Sequence, residues 1–282
     1  MSSPLVIRTA EEMKEYSSSV SKDGKSAGFV PTMGAIHAGH LRIMEEISAL
    51  SDVCIASIFV NPLQFGAGED YDGYKRDEEG DVAKLTEAGV EAVFIPSAGE
   101  IYPDGFQTSV EVERLQKFLC GASRSGHFKG VATVVLKLFN IVRPAVAGFG
   151  EKDFQQLAII KRMVKDLHLD VRIAAVPTVR DETGLAVSSR NEYLSDEERK
   201  KAVVIPQVLF RMKQLFDSGT LLSAEIVKDG GEFLATNGGV DLEYLEICDP
   251  ETLAPSPGAS AGSLAAIAAR VGKARLLDSI RF

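Results

Sequence analysis

No stretch of this 282-residue chain approaches the ~18 consecutive apolar residues of a spanning helix, so no membrane segment is expected. The first residues, MSSPLVIRTAEEMKEY, lack both a basic n-region and an apolar h-region, so they do not read as a signal peptide. Positive charge is in short supply: 31 Lys and Arg face 40 Asp and Glu, a net charge of −9. That balance argues against a protein that wraps nucleic acid, and any anionic substrate must be met by a local cluster of donors. Cysteine is scarce. Cys54, Cys120 and Cys248 are odd in number and far apart, which fits a reducing cytosol better than a disulfide framework and matches no metal clip. No internal repeat is visible.

What is present is ordinary for a globular protein: 45% apolar and 25% charged residues. The length fits one large or two unequal domains. Over the first 180 or so residues, strand-like and helix-like segments alternate. Strands are expected at Leu5 to Arg8, Ala27 to Pro31, Val53 to Val60, Ala92 to Pro96, Ser109 to Val112, Ala145 to Phe149 and Val171 to Val176. Several are unbroken apolar runs, as in parallel strands covered on both faces. Helical patterns fall at Ala10 to Val20, Leu41 to Leu50, Tyr74 to Ala88, Val131 to Val142 and Phe154 to Leu167. Thr9 with Glu12 reads as a capping box, and Asp153 as a cap for the helix at Phe154. The alternation points to a Rossmann-like, doubly wound parallel α/β sheet, which binds ligands at the carboxyl ends of its strands. Beyond Thr183 the pattern changes. One long helix is expected over Ser195 to Asp217, a shorter one over Ser223 to Thr236, and strands near Val240 to Cys248 and Ser263 to Arg270, with PSPGASAGS as a surface loop between them. The expected division is a domain of residues 1–178 and a smaller C-terminal α+β domain of residues 179–282.

Three segments carry chemistry. PTMGAIHAGH (Pro31 to His40) joins a buried strand to an amphipathic helix. Gly34 and Gly39 allow a tight turn, the helix start offers free N–H groups to phosphate, and His37 and His40 lie three apart on one side of it. Two satisfied surface histidines, or a zinc pair lacking a third ligand, are the competing readings, and no residue is assigned to a metal. GFGEKD (Gly148 to Asp153) is a second Gly-rich strand–helix turn, with Lys152 as a mobile point charge. It matches neither G-x-x-x-x-G-K-[ST] nor G-x-G-x-x-G, so P-loop and dinucleotide readings lose support. VSSRNEYLS (Val187 to Ser195) places two hydroxyls and Arg190 ahead of a helix, a phosphate clamp or a plain Ser-rich helix start. FVNPLQFG presents Asn61 and Gln64 after a strand, and SRSGHFKG gathers Arg124, His127 and Lys129.

Taken together and in order, PTMGAIHAGH, FVNPLQFG, SRSGHFKGVATVV, GEKDFQQL and GLAVSSRNEYLS resemble the pantothenate synthetase (pantoate–β-alanine ligase) family of HxGH-type nucleotidyltransferases, over about residues 28 to 195. Ala38, Ser125 and Val187 depart from residues frequent there. The resemblance implies that pantoate and ATP form pantoyl adenylate and pyrophosphate, and that β-alanine then displaces AMP to give pantothenate. It implies ATP with Mg²⁺ as a substrate complex, no tightly bound cofactor, a homodimer and a cytoplasmic location. Carried over residue by residue, Met33, Gly34, His37, Gly39 and His40 would contact ATP, as would Gly150, Glu151, Lys152, Asp153, Val179, Val187, Ser188, Ser189 and Arg190. Catalysis would fall to His40, His37 and Lys152. Pantoate would meet Gln64, Gln156, Asn61 and His127, with β-alanine near Gln64. Two readings compete with this one. They are a simple nucleotidyltransferase with a phosphorylated acceptor and a non-catalytic nucleotide sensor.

Overall fold

The computed structural model describes residues 3–66, 69 and 71–282. In chain order the elements are β1 (Leu5–Ile7), α1 (Ala10–Lys22), β2 (Ala27–Thr32), α2 (Ala38–Ser48), β3 (Val53–Ile58), α3 (Glu78–Glu87), β4 (Ala92–Phe94), α4 (Ala98–Ile101), α5 (Leu119–Ser123), α6 (His127–Val142), β5 (Val146–Gly150), α7 (Phe154–Asp166), β6 (Arg172–Val176), α8 (Asp196–Ala202), α9 (Val204–Asp217), α10 (Ser223–Asn237), β7 (Asp241–Cys248), β8 (Leu264–Val271) and β9 (Ala274–Arg281). The chain divides into two compact units. One comprises Met1–Glu113, Arg124–Gly150 and Ile159–Val176, the other Arg114–Ser123, Glu151–Ala158 and Pro177–Phe282.

The first unit is built on a parallel sheet of order β1-β4-β3-β2-β5-β6. Growth runs one way from β2 through β3 and β4, and the other way through β5 and β6. The direction therefore switches between β2 and β5, where open α/β sheets bind ligands beyond the carboxyl ends of their strands. The runs VCIASI and AVF are buried almost throughout, as strands covered on both faces must be. Helix α2 lies close on β2 and β5 because the strands carry glycine beneath it. A Cβ on Gly28 would meet Ile47 Cγ2 at 2.4 Å, and one on Gly148 would meet Ile43 Cγ2 at 2.5 Å. Met44 and Ile47 of α2 are fully buried with Val30, Ala56, Leu85 and Val93, each large side chain contributing roughly 1.5–3 kcal/mol of burial. The start of α2 is thereby fixed over the switch point.

The second unit holds the antiparallel sheet β7-β8-β9, with a bulge between Leu242 and Tyr244. Val208, Leu209 and Met212 of α9 and Ile226 of α10 share a core with Ile267 and Leu276 of the sheet.

Several expectations need correction. Ser109 to Val112 forms no strand. Its alternation has the β period, but a period does not supply a neighbouring strand, and the Val110 N–H instead donates to Thr133 Oγ1. The helix expected over Ser195 to Asp217 is two helices broken at Val203. Pro206 has no N–H to give the Ala202 carbonyl, and its ring crowds that oxygen. Strand β9, with the sequence ARLLDSIR, lies outside the expected elements. Asp153 lies inside a 3-10 turn, Glu151–Asp153, that runs into α7, so it is not an extended cap. The Thr9–Glu12 capping box is present. The three cysteines are free and buried. Burial pushes the thiols of Cys54 and Cys248 up to about 11 and about 12, which keeps them protonated packing groups.

Candidate functional site

Strand β2 delivers the chain into the Pro31-to-His40 turn, and His37 becomes the N-cap of α2. Its Nδ1 accepts the Gly39 N–H at 3.1 Å. A ring nitrogen that accepts is unprotonated, so the neutral His37 ring carries its proton on Nε2, a donor suited to a phosphate oxygen. His40, one turn on, stacks on His37 with ring centroids 4.0 Å apart. The first turn of α2 carries no acidic side chain of its own, so nothing within the helix offsets the positive end of its dipole. This is the turn whose glycines and histidines the sequence offers to a phosphate.

Beyond β3, a 3-10 turn at Pro62–Gln64 is capped by Asn61, whose Oδ1 accepts the Leu63 N–H. Asn61 is 1% exposed. The Tyr102 hydroxyl donates to the same Oδ1 at 2.7 Å, while Asn61 Nδ2 donates to the Gly130 carbonyl and to Gln64 Oε1, each at 3.1 Å. With its oxygen taken by Asn61, the Gln64 amide must present its nitrogen outward. That Nε2 lies 2.9 Å from Met33 Sδ, in the histidine-bearing turn. A thioether is a weak acceptor, so the amide is a donor readily turned to a carboxylate or hydroxyl oxygen. Burial raises the Tyr102 phenol well above its ordinary value, so Tyr102 remains protonated at any working pH.

His127 opens α6 beside this turn. Arg124 Nη1 can only donate, so His127 Nε2 accepts from it at 2.9 Å, and His127 Nδ1–H donates to the Gln64 carbonyl at 2.7 Å. Both ring nitrogens are thus engaged in holding Gln64 and Arg124. Arg124 in turn makes a two-pronged bond to Glu69, at 2.7 and 2.6 Å. That guanidinium holds the Glu69 carboxyl down at about 2.

In the second unit, Glu151–Asp153 forms the 3-10 turn that carries Lys152, which is 3.7 Å from Asp153. Strand β9 supports the turn. Ser279 Oγ donates to the Glu151 carbonyl at 3.2 Å, and Arg281 pairs with the Glu151 carboxylate at 3.4 Å and lies over the Phe154 ring. Gln155 is buried and donates to the carbonyls of Leu115 and Phe118, while its neighbour Gln156 is half-buried. Val187 N–H donates to the Val179 carbonyl at 2.9 Å, bringing these two candidates together across a hairpin. Arg180, next to Val179, grips the buried Asp278 of β9 through both terminal nitrogens, at 2.6 and 2.9 Å. Burial pushes the Asp278 carboxyl up, against the opposing pull of Arg180, the Ser279 N–H and the charge of Lys152. Ser188 Oγ accepts the Arg190 N–H and opens the 3-10 turn Ser189–Tyr193. Among the described residues, no three His, Cys, Asp or Glu side chains gather to hold a metal ion, and no helix is long and apolar enough to cross a membrane.

A family model for pantoate–β-alanine ligase matches residues 5–281. The chain belongs to the pantoate–β-alanine ligase family. It is 48% identical over 275 residues to the pantothenate synthetase of Thermosipho africanus, covering 98% of this chain and 99% of that relative. Among solved structures, the pantothenate synthetase of Thermus thermophilus superposes with a TM-score of 0.93 at 46% identity, over 98% of this chain and 99% of that one. The pantoate–β-alanine ligase of Francisella tularensis, solved in complex with β-γ ATP and β-alanine, gives a TM-score of 0.82 at 33% identity over 99% of this chain and 97% of that one.

Within this family frame, sequence reasoning missed Tyr102, Glu69, Asp278 and Gln155. Gln155 lies in GEKDFQQL with no role read for it there, and the other three lie outside the quoted motifs. Each acts through hydrogen bonds to residues far along the chain, which a linear reading has no means to pair.

Proposed function

We propose that this chain condenses pantoate and β-alanine to pantothenate at the expense of ATP, releasing AMP and pyrophosphate. The pantoate carboxylate attacks the α-phosphorus, an acyl–O–P bond forms, and the bond to the β-phosphate breaks. The β-alanine amine then attacks the acyl carbon, a C–N bond forms, AMP leaves and the amine gives up a proton. An acyl phosphate is a competent electrophile towards an amine where a carboxylate is not. No side-chain nucleophile is required, so positioning and charge neutralisation carry the catalysis.

The observation that carries this reading is the Gln64 amide. It is oriented by Asn61 and Tyr102 and set against Met33, so a neutral donor for a hydroxy acid stands at the head of the turn bearing His37 and His40. A phosphorylated acceptor would call for a cation there. His37 and His40 take the charge developing on the phosphates. Met33, Gly34, Gly39, Gly150 to Asp153, Val179 and Val187 to Arg190 hold the nucleotide, with Lys152 and Arg190 as its cations. Gln64 and Gln156 bind pantoate, Asn61 and His127 hold Gln64 in place, and β-alanine enters near Gln64. Mg²⁺ arrives as part of the ATP complex and neutralises the leaving pyrophosphate. The division falls near the expected residue 178, but Arg114–Ser123 and Glu151–Ala158 belong with the C-terminal unit, so Gln64 and the His37–His40 turn are assigned to the parallel-sheet unit and Lys152, Gln156 and the Ser188–Arg190 segment to the other. The working enzyme is a cytoplasmic homodimer. Mass detection of pantothenate and AMP from ATP, Mg²⁺, pantoate and β-alanine tests the reading. Formation of ADP, or no pantothenate with all the substrates present, contradicts it.

A further inference from the structure

Helix α3 carries a carboxylate that no ligand-binding motif includes. Asp81 is 2% exposed. Its Oδ2 accepts the Ala35 N–H at 2.8 Å and its Oδ1 accepts the Ile36 N–H at 2.7 Å. One helical turn on, Lys84 Nζ donates to the Ile36 carbonyl at 2.7 Å. The held segment is unusual. Gly34 and Ala35 both have positive φ, 82° and 49°, and for alanine that left-handed conformation is strained. Gly34 is also pressed against the clamp, since a Cβ there would stand 2.8 Å from Asp81 Oδ2. Successive N–H groups in such a turn form a concavity that accepts anions. Here the protein's own carboxylate takes that place, from the inner side. The next residue is His37, the cap of α2 and half of the stacked histidine pair.

We propose that Asp81, seconded by Lys84, is a positioning residue for adenylation: it fixes the Gly34–Ile36 turn and so sets the placement of His37 and His40. The inference rests on reading His37, His40 and the start of α2 as phosphate-binding. Asp81 touches no substrate. A carboxylate is needed because two donors converge on it. The isosteric amide of Asn would turn an N–H₂ towards one of the two backbone N–H groups, donor against donor. The turn then relaxes, and a displacement near 1 Å at reacting groups costs roughly 10²-fold in rate.

The test uses the full chain with Asp81→Asn and Lys84→Met. The protein has four histidines, so the ring Cε1–H signals of His37, His40, His127 and His168 form a small NMR set, assignable by single His→Gln changes. In folded Asp81→Asn, the His37 and His40 signals are expected to move while those of His127 and His168 stay. The kcat of pantoate-dependent ATP–pyrophosphate exchange should fall about 10–100-fold, with pantoate KM changed less than about twofold. Lys84→Met should move the same two signals and slow exchange by a smaller factor. Unmoved His37 and His40 signals, all four signals moving together, or a KM loss equal to the kcat loss would overturn the inference. If Asp81→Asn does not fold, unchanged signals and rate in Lys84→Met overturn it instead. His40→Ala separates the two levels of the argument. Near-normal turnover there removes the phosphate reading itself, whereas slow His40→Ala beside normal Asp81→Asn removes only the role of Asp81.

Discussion

At Gly130 the backbone of α6 is pressed against the backbone of the Gln64 turn, and Gly130→Ala should damage pantoate use selectively. A Cβ at this position would stand 2.2 Å from the Leu63 oxygen, 2.4 Å from the Leu63 carbonyl carbon and 2.7 Å from the Gln64 nitrogen. All three are backbone atoms that no rotamer change can move. Restoring a C···O contact of about 3.3 Å requires the turn and helix to part by about 1 Å. Ala is the better helix former by about 1 kcal/mol. Overpacking costs about 1–3 kcal/mol, and a weakened Asn61 bond to the Gly130 carbonyl adds about 1 kcal/mol. The net loss is about 1–3 kcal/mol, which a thermal melt resolves. The functional effect is larger, because the same 1 Å moves Gln64 and unhooks its amide from Asn61. The expected result is a fall of about 10–100-fold in kcat/KM for pantoate with ATP KM changed less than about twofold. An unaltered melting temperature with unaltered pantoate kinetics would refute the placement of Gln64 as the acid-binding amide held by α6.

Two other perturbations address the charged groups. Lys152→Met should slow adenylation by about 10²-fold or more while leaving pantothenate binding unchanged, measured by single-turnover kinetics and calorimetry. Equal losses in both would indicate collapse of the turn. Glu69→Gln probes the Arg124 pair through acid stability. The Glu69 carboxyl sits at about 2 in the folded chain, below its ordinary 4.5, so its stabilisation is fully present above pH 4.5 and disappears as pH falls towards 2. The melting-temperature difference between wild type and Glu69→Gln should therefore be constant from pH 7 to 5 and shrink below 4.5. A difference that grows on acidification contradicts the ion pair.

The sheet is legible in the sequence because its strands are short apolar runs bounded by turn residues, as in AGFVPT and VCIASI, and because α2, α6 and α7 show the helical period. The starts of helices are less so. His37 and Gly126 are the residues flanking the starts of α2 and α6, yet neither is a strong capping type, so periodicity alone starts α2 at Leu41 and α6 at Val131, three and four residues late. Pro206 is visible but ambiguous, since a proline in the first turn of a new helix also looks like a tolerated kink in an old one. The candidate site is legible where chemistry and local geometry coincide, at His37, His40 and Lys152. It is illegible where a partner lies far along the chain. Tyr102 meets Asn61 across 41 residues, Arg124 meets Glu69 across 55 and Arg180 meets Asp278 across 98. Those contacts exist only after the sheets have set the distances.

The central claim is that the acid is activated before the amine acts, and ATP–pyrophosphate exchange tests it directly. Enzyme, Mg²⁺, ATP, labelled pyrophosphate and pantoate should pass label into ATP with no β-alanine present, and omission of pantoate should abolish the exchange. Gln64→Ala should suppress the exchange more than it weakens ATP binding. Exchange that requires β-alanine, or that proceeds without pantoate, would contradict the account.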